Sequence, residues 1–317
     1  MKPINIRACR GIKLLTLVML VAGVTAQVVA QSKSPAKSTR PRASSKAEPV
    51  KPLEKTLLWE ISGKALKQPS YLFGTMHVLC PDDAKISEGL KKAMDASQQI
   101  VFEIDMDDMQ QMMNSVRYLR MNDGVKVSDL LTEEEYARVK KYFDEHRTSL
   151  PFAMLNRFKP YLISGMISEG IMNCEKTNGM EQQIMAAAGE KNILGLETIE
   201  FQSSIFDSIP YRKQAKDLVE YVDSIEHYRK ITMDMVEVYR EQDLEKMEKL
   251  VQESDPGMQQ YMDLMLYNRN RNWINKMQRF MYDTPTLFAV GAGHLPGDQG
   301  VIALLKKEGY TVKPLKN

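Results

Sequence analysis

The sequence predicts an α/β chain of the α+β kind, with a central mixed sheet formed by N- and C-terminal strands and a large helical middle section. Three observations predict it. Apolar runs of strand length, bounded by turn residues, lie between residues 56 and 104 and again between 286 and 314. From 199 to 281 no strand pattern occurs, and apolar residues recur at three- and four-residue spacing with only Pro210 and Pro256-Gly257 as breaks. Short isolated strands cannot bury their faces, so the terminal strands are expected to share one sheet. With 43% hydrophobic and 26% charged residues in 317, the chain is neither disordered nor membrane-spanning as a whole.

Residues 1–30 read as a signal peptide. Lys2, Arg7, Arg10 and Lys13 precede the apolar run Leu14–Ala26, and small residues suited to cleavage follow at Ala26 and Ala30. At about 1.5 Å per residue that run falls short of the roughly 30 Å hydrocarbon core, so no stable membrane span is expected after leader cleavage. The alternative is an uncleaved anchor. Residues 31–55 form a Ser/Pro/Lys-rich linker with almost nothing to bury. The folded body is assigned to 56–317. The mature chain is expected to be exported, either periplasmic or secreted, and an association with the cell envelope through the basic linker is left open.

Within the body, Thr56–Ser62 and Ser70–Gly74 read as a hairpin around the turn-rich 63–69. A helix is expected over Ser87–Ala96 and a buried strand over Gln99–Ile104. Thr132 and Glu135 form a capping box that opens a helix running to about His146. Helices are expected over Pro151–Asn173 and Met180–Gly189, then a strand at Ile193–Leu196. The closing pattern is strand Thr286–Val290, a Gly-rich turn Gly291–Asp298, helix Gln299–Lys307 and strand Tyr310–Pro314.

The formal charge of +2 averages unlike parts. The leader and linker are basic, which leaves 32 Lys+Arg against 39 Asp+Glu after Thr56, a net −7. An acidic body argues against nucleic acid as a partner, because phosphate contacts need clustered Lys/Arg. Loss of Cys9 with the leader leaves Cys80 and Cys174, a candidate disulfide in an oxidising compartment or else two buried thiols. Many of the 22 Met lie on helices, among them Met109, Met112, Met113, Met258, Met262, Met265, Met277 and Met281, and read as core filler rather than a copper site. No Gly-x-Ser-x-Gly elbow, phosphate loop, dinucleotide fingerprint or His-Glu-x-x-His helix is present.

Of four histidines, two share one context: Tyr71-Leu-Phe73 runs into Gly74-Thr-Met-His77, and Leu287-Phe-Ala-Val290 into Gly291-Ala-Gly-His294. Carboxyl ends of parallel strands are where side chains converge on a ligand. Two such strands side by side would bring two imidazoles, the commonest metal ligands and usual general bases, to one rim. The alternative is a pair of structural histidines. His146 and His227 lie among charged helix residues and read as solvated. Glu103, an acid inside a buried strand, and Glu197, at a strand end, complete a mixed N/O set suited to Mn²⁺, Co²⁺ or Zn²⁺. For each acid the alternative is a buried ion pair with an Arg. Arg269 and Asn270 are candidates for an anion clamp and a hydrogen-bonder if their helix runs behind the last strands; otherwise they belong to a solvated helix face.

Six motifs occur in order: Trp59-Glu-Ile-Ser62, Tyr71–His77, Phe102-Glu-Ile-Asp105, Gly195–Gln202, Arg269-Asn-Arg-Asn-Trp273 and Val290–Gly297. Together they make the chain resemble the TraB/PrgY/GumN family, which also contains the Tiki extracellular proteases. The resemblance implies a fold similar to erythromycin esterase and the haem-binding ChaN-like proteins. It also implies a metal-dependent hydrolase acting on a peptide or protein substrate, with Mn²⁺ or Co²⁺ favoured as the divalent metal ion. Carried over by residue, His77, His294 and Glu103 become metal-site members, and Glu103, Glu197, Arg269 and Asn270 catalytic or supporting candidates. Two positions depart from the family pattern: Asn268 stands where an acid commonly precedes the Arg-Asn pair, and Glu181 stands where Asp is frequent. The competing reading is a secreted binding protein that captures a peptide signal or haem without turnover.

Overall fold

The backbone patterns above resolve into one six-stranded mixed sheet with helices around it. The computed structural model describes residues 53–108, 115–146, 150–254 and 259–317. The leader, nearly all of the linker, Met109, Met112, Met113 and Pro256–Met258 lie outside the described residues. The strands are β1 (Leu58–Ser62), β2 (Ser70–Thr75), β3 (Gln99–Ile104), β4 (Asn192–Glu197), β5 (Thr286–Gly291) and β6 (Thr311–Pro314), in the spatial order β4-β3-β5-β2-β1-β6. Strands from the two ends of the chain thus share one sheet. β1 is antiparallel to both β2 and β6, whereas β4, β3, β5 and β2 run parallel.

The two connected facts that place the functional residues are the parallel pairing and its register. Gly74 lies opposite Val290 and Thr75 opposite Gly291, so both Gly-x-x-His segments leave adjacent strands at the same end. β3 lies against the other side of β5, with Phe102 opposite Ala289. All six β3 residues are buried, as expected of a central parallel strand covered on both faces, and that burial includes Glu103.

Among the described residues ten helices of seven or more residues carry the rest: α1 (Glu88–Ala96), α2 (Glu133–Glu145), α3 (Pro160–Gly170), α4 (Met180–Ala187), α5 (Ile199–Asp207), α6 (Tyr211–Asp223), α7 (Ile225–Arg240), α8 (Leu244–Ser254), α9 (Asn268–Asp283) and α10 (Val301–Lys307). Ser87 caps α1 by accepting from Leu90 N–H, and Thr132 and Glu135 close both halves of the capping box on α2. The expected helix over 151–173 is instead two, Phe152–Leu155 and α3. Pro160 explains the break, because proline biases the preceding residue away from helical geometry; Lys159 is extended and Pro160 opens α3.

Two hydrophobic clusters form. One surrounds the sheet and includes Trp59, Phe73, Phe102, Phe288 and Trp273. The other lies among α2, α3 and α6 and includes Phe143, Phe152, Tyr161, Phe206 and Tyr221. Met277 and Met281 are core residues, as their spacing suggests. A Cys80–Cys174 disulfide ties the segment after His77 to the segment before α4. Beside it, Leu79 and Asn178 bond through their backbones and Met180 N–H donates to Met76 C=O. Among the described residues no helix is long and apolar enough to cross a membrane.

Candidate functional site

The parallel strands bring His77, Glu103 and His294 to one rim. Gly291 marks their meeting point: a methyl group in place of its hydrogen would lie 3.1 Å from Glu103 Oε1, 3.6 Å from His294 Cδ2 and 3.8 Å from His77 Nε2. The φ of Gly291 is −50°, which any residue adopts, so glycine is there for space and not for backbone freedom. Gly74 has a matching reason, since a Cβ would press within 3.1 Å of Ala292 Cα in the turn that follows the neighbouring strand.

Each imidazole is oriented through its Nδ1. His77 Nδ1–H donates to Glu181 at the start of α4 (2.7 Å), leaving Nε2 on the Gly291 side. Burial alone would lower the His77 pKa, but the charge and hydrogen bond of Glu181, with Glu103 beyond, outweigh it and raise the imidazolium above its ordinary range. Glu181 is correspondingly held low: burial opposes its ionisation, and His77 overcomes burial. His294 Nδ1–H donates to Asn270 Oδ1 (2.6 Å), and Asn270 Nδ2 donates to Gln299 C=O (2.9 Å), which fixes the amide's orientation. Trp273 packs on the His294 ring at 4.3 Å. Burial, then Arg269 and His77, keep His294 well below the usual imidazole range, so it is neutral with a lone pair on Nε2.

The carboxylates are bridged by one cation. Arg269 Nη2 donates to Glu103 Oε2 (2.5 Å) and Glu197 Oε2 (2.8 Å), Nε donates to Glu197, and Nη1 donates to Met265 C=O (2.9 Å) and approaches His294 Nε2 (3.3 Å). With two carboxylates and the Met265 carbonyl as its acceptors, Arg269 acts as a buried strut instead of a free anion clamp or a solvated helix residue. Glu197 also accepts from Trp273 Nε1 (2.7 Å) and Gln202 Nε2 (2.9 Å), which leaves it no open lone pair for a ligand. Glu103 differs. Its Oε2 faces Arg269, while its Oε1 accepts Gly291 N–H (2.8 Å) and lies 3.8 Å from His294 Nε2. Burial raises the Glu103 pKa despite the opposing pull of Arg269.

Sequence reasoning singled out His77, His294, Glu103, Glu197, Arg269 and Asn270, and all six lie in this network. It noted Glu181 only as a departure from a pattern, and it missed the parts played by Gln202 and Trp273. Gln202 does stand three residues into the helix that follows the Glu197 strand end, a position that returns its side chain to the rim. Its Oε1 is buried without a partner. His227 is exposed on α7 and His146 is exposed at the C-cap of α2.

Among the described residues no three His, Cys, Asp or Glu side chains stand closed around a metal position. The donor chemistry nevertheless fits an open site. Two imidazoles have Nδ1 engaged with acceptors, the usual way a metal-binding ring is oriented, and Glu103 Oε1 stands 3.8 Å from His294 Nε2 on the Gly291 side that His77 Nε2 also faces.

The TraB/PrgY/gumN family model matches residues 57–314, which spans the sheet, both Gly-x-x-His segments and the Arg269 helix. The chain belongs to that family. It is similar to the Metalloprotease TIKI2 of Danio rerio, 22% identical over 81% of this chain and 60% of that protein. It is also similar to a Metalloprotease TIKI homolog of Amphimedon queenslandica, 24% identical over 83% of this chain and 62% of that protein. The chain thus spans about three fifths of the length of these relatives. No solved structure matches it significantly.

Proposed function

We propose that this TraB-family chain is an exported metal-dependent hydrolase that cleaves peptide bonds. The observation that carries the reading is the convergence of His77, Glu103 and His294 around Gly291. The family relatives named as metalloproteases support the reaction class. The Cys80–Cys174 disulfide supports an oxidising compartment.

His77 Nε2, His294 Nε2 and Glu103 Oε1 would hold a divalent cation, Mn²⁺ or Co²⁺ by family resemblance. When bound, such an ion supplies Lewis acidity and lowers the pKa of water towards neutrality. The chain's own residues do the remaining work. Glu181 and Asn270 orient the two rings and keep their Nε2 atoms on the reacting side. Arg269 keeps Glu103 and Glu197 from repelling one another in a buried rim, and so fixes the angle at which Glu103 presents Oε1. Glu103 itself would present Oε1 to the cation while its other oxygen stays held by Arg269.

The test is metal analysis of the purified protein beside His77→Ala/His294→Ala, with peptide hydrolysis measured on both. The expected result is about one divalent ion per chain, lost with activity in a variant that still folds. Equal metal content in the two proteins would sink the site. A Soret band that disappears with His77 would favour haem capture instead.

A further inference from the structure

A second binding feature lies outside the rim, along the free edge of β4. The sheet has two edge strands, and they are built differently. β6 carries Lys313 and Pro314, residues that discourage another strand from pairing there. β4 reads Asn-Ile-Leu-Gly-Leu-Glu, with neither Lys nor Pro, and its partner β3 covers only one side of it. Residues two apart in a strand direct their backbone groups to the same edge. Leu196 C=O accepts from Lys276 on the side away from β3, so the backbone groups of Leu194 are also directed to the free edge.

A groove of about 780 Å³ opens at this edge, with Gly195–Thr198 as its floor. Its wall is the outer face of α9, where Asn272, Asn275, Lys276 and Arg279 recur at the three- and four-residue spacing of a single helix stripe. Phe201, which is 42% exposed, and Phe280 supply apolar surface at its sides. Among the described residues neither Lys276 nor Arg279 has a carboxylate partner, in a body whose net charge is −7. A free strand edge, capped by Lys276 at Leu196 alone, together with two amides and two cations without carboxylate partners in one open groove, is complementary to an extended chain that carries acidic side chains on one face.

We infer that the β4 groove is an exosite that binds an extended acidic segment of a polypeptide by strand addition, with its acidic side chains turned to Lys276 and Arg279. Main-chain hydrogen bonds to the β4 edge give affinity, and the cationic stripe selects the charge pattern. The inference rests on the peptidase reading for its purpose, but the binding itself needs neither the metal nor turnover. Glu197, at the end of β4, belongs to both the groove and the rim network, so a segment seated there would lie beside the proposed active site.

The experiment uses the full mature chain carrying His77→Ala/His294→Ala, so that hydrolysis plays no part, and a fluorescein-labelled peptide of alternating Thr and Glu read by anisotropy. Lys276→Glu/Arg279→Glu is expected to weaken binding by about tenfold or more, whereas charge reversal at the distant Lys140 and Lys141 leaves it unchanged. Arg279→Glu alone serves as the second variant, since among the described residues Arg279 makes no hydrogen bond or ion pair that the fold would lose. Methylation of alternate peptide nitrogens is expected to abolish binding. A Thr-Lys peptide that binds equally well, full binding by the methylated peptide, or indifference to both groove variants would overturn the exosite. A failed metal test with intact groove binding would instead sink only the peptidase reading.

Discussion

Arg269→Met probes the physical logic of the rim most directly. The substitution keeps an unbranched apolar stem and removes a guanidinium that is only 7% exposed from between carboxylates that are 4% and 2% exposed. Breaking a buried ion pair by deleting one partner costs about 3–5 kcal/mol, because the remaining charge stays buried and uncompensated. For a domain of this size that corresponds to a drop in Tm of about 6 °C or more. The deficit should also depend on pH in a defined direction. Burial already raises Glu103, and Arg269 restrains that rise; without Arg269 the native pKa climbs further. A carboxyl group whose native pKa is raised binds more protons folded than unfolded, so stability falls as pH rises through the window between its unfolded and native values. The loss is therefore greatest at neutral pH and shrinks as pH approaches about 4.3. Thermal melts of chelator-treated parent and variant, followed by circular dichroism across that range, measure it. Glu103→Gln/Arg269→Met should recover part of the loss at pH 7. A melt within about 2 °C of the parent at neutral pH, or a deficit indifferent to pH, would refute the charge argument.

Other substitutions test single contacts. Glu181→Gln removes the carboxylate that orients His77, and peptidase activity should fall about 10- to 100-fold with the fold intact; unchanged kcat/KM would show that the contact is incidental. Gly291→Ala fills the space between the three rim groups at no backbone cost, so metal content and activity should be lost while Tm stays near the parent; metal retention would place the ion elsewhere. Cys80→Ser/Cys174→Ser opens a loop spanning a sequence separation of 94 residues, and denaturant unfolding should register about 2–5 kcal/mol less stability. Thr132→Ala removes the α2 cap and should cost about 1 kcal/mol by the same measurement, a local control that leaves activity untouched.

Much of the fold was legible because it is written in local patterns. The β3 run Gln99–Ile104, the Thr132 capping box and the paired strand–Gly-x-x-His segments each depend on neighbouring residues. Their expected ends agree with the observed ones to within a residue or two. The helix predicted over 151–173 failed where the periodicity continued through Lys159-Pro160 and the backbone could not.

The candidate site divides along the same line. The residue types and the strand ends that carry His77, His294, Glu103 and Glu197 follow from sequence alone, since side chains at the carboxyl ends of parallel strands share a rim once the strands pair. What those side chains do there was decided by the tertiary structure. Arg269 meets Glu103 across 166 residues and Glu197 across 72, and by taking both it turns one acid into a saturated support and leaves the other with an oxygen facing the histidines. No periodicity encodes that choice. It arises from the order of the strands, the placement of α9 beside them, and the cost of burying two carboxylates without a cation between them.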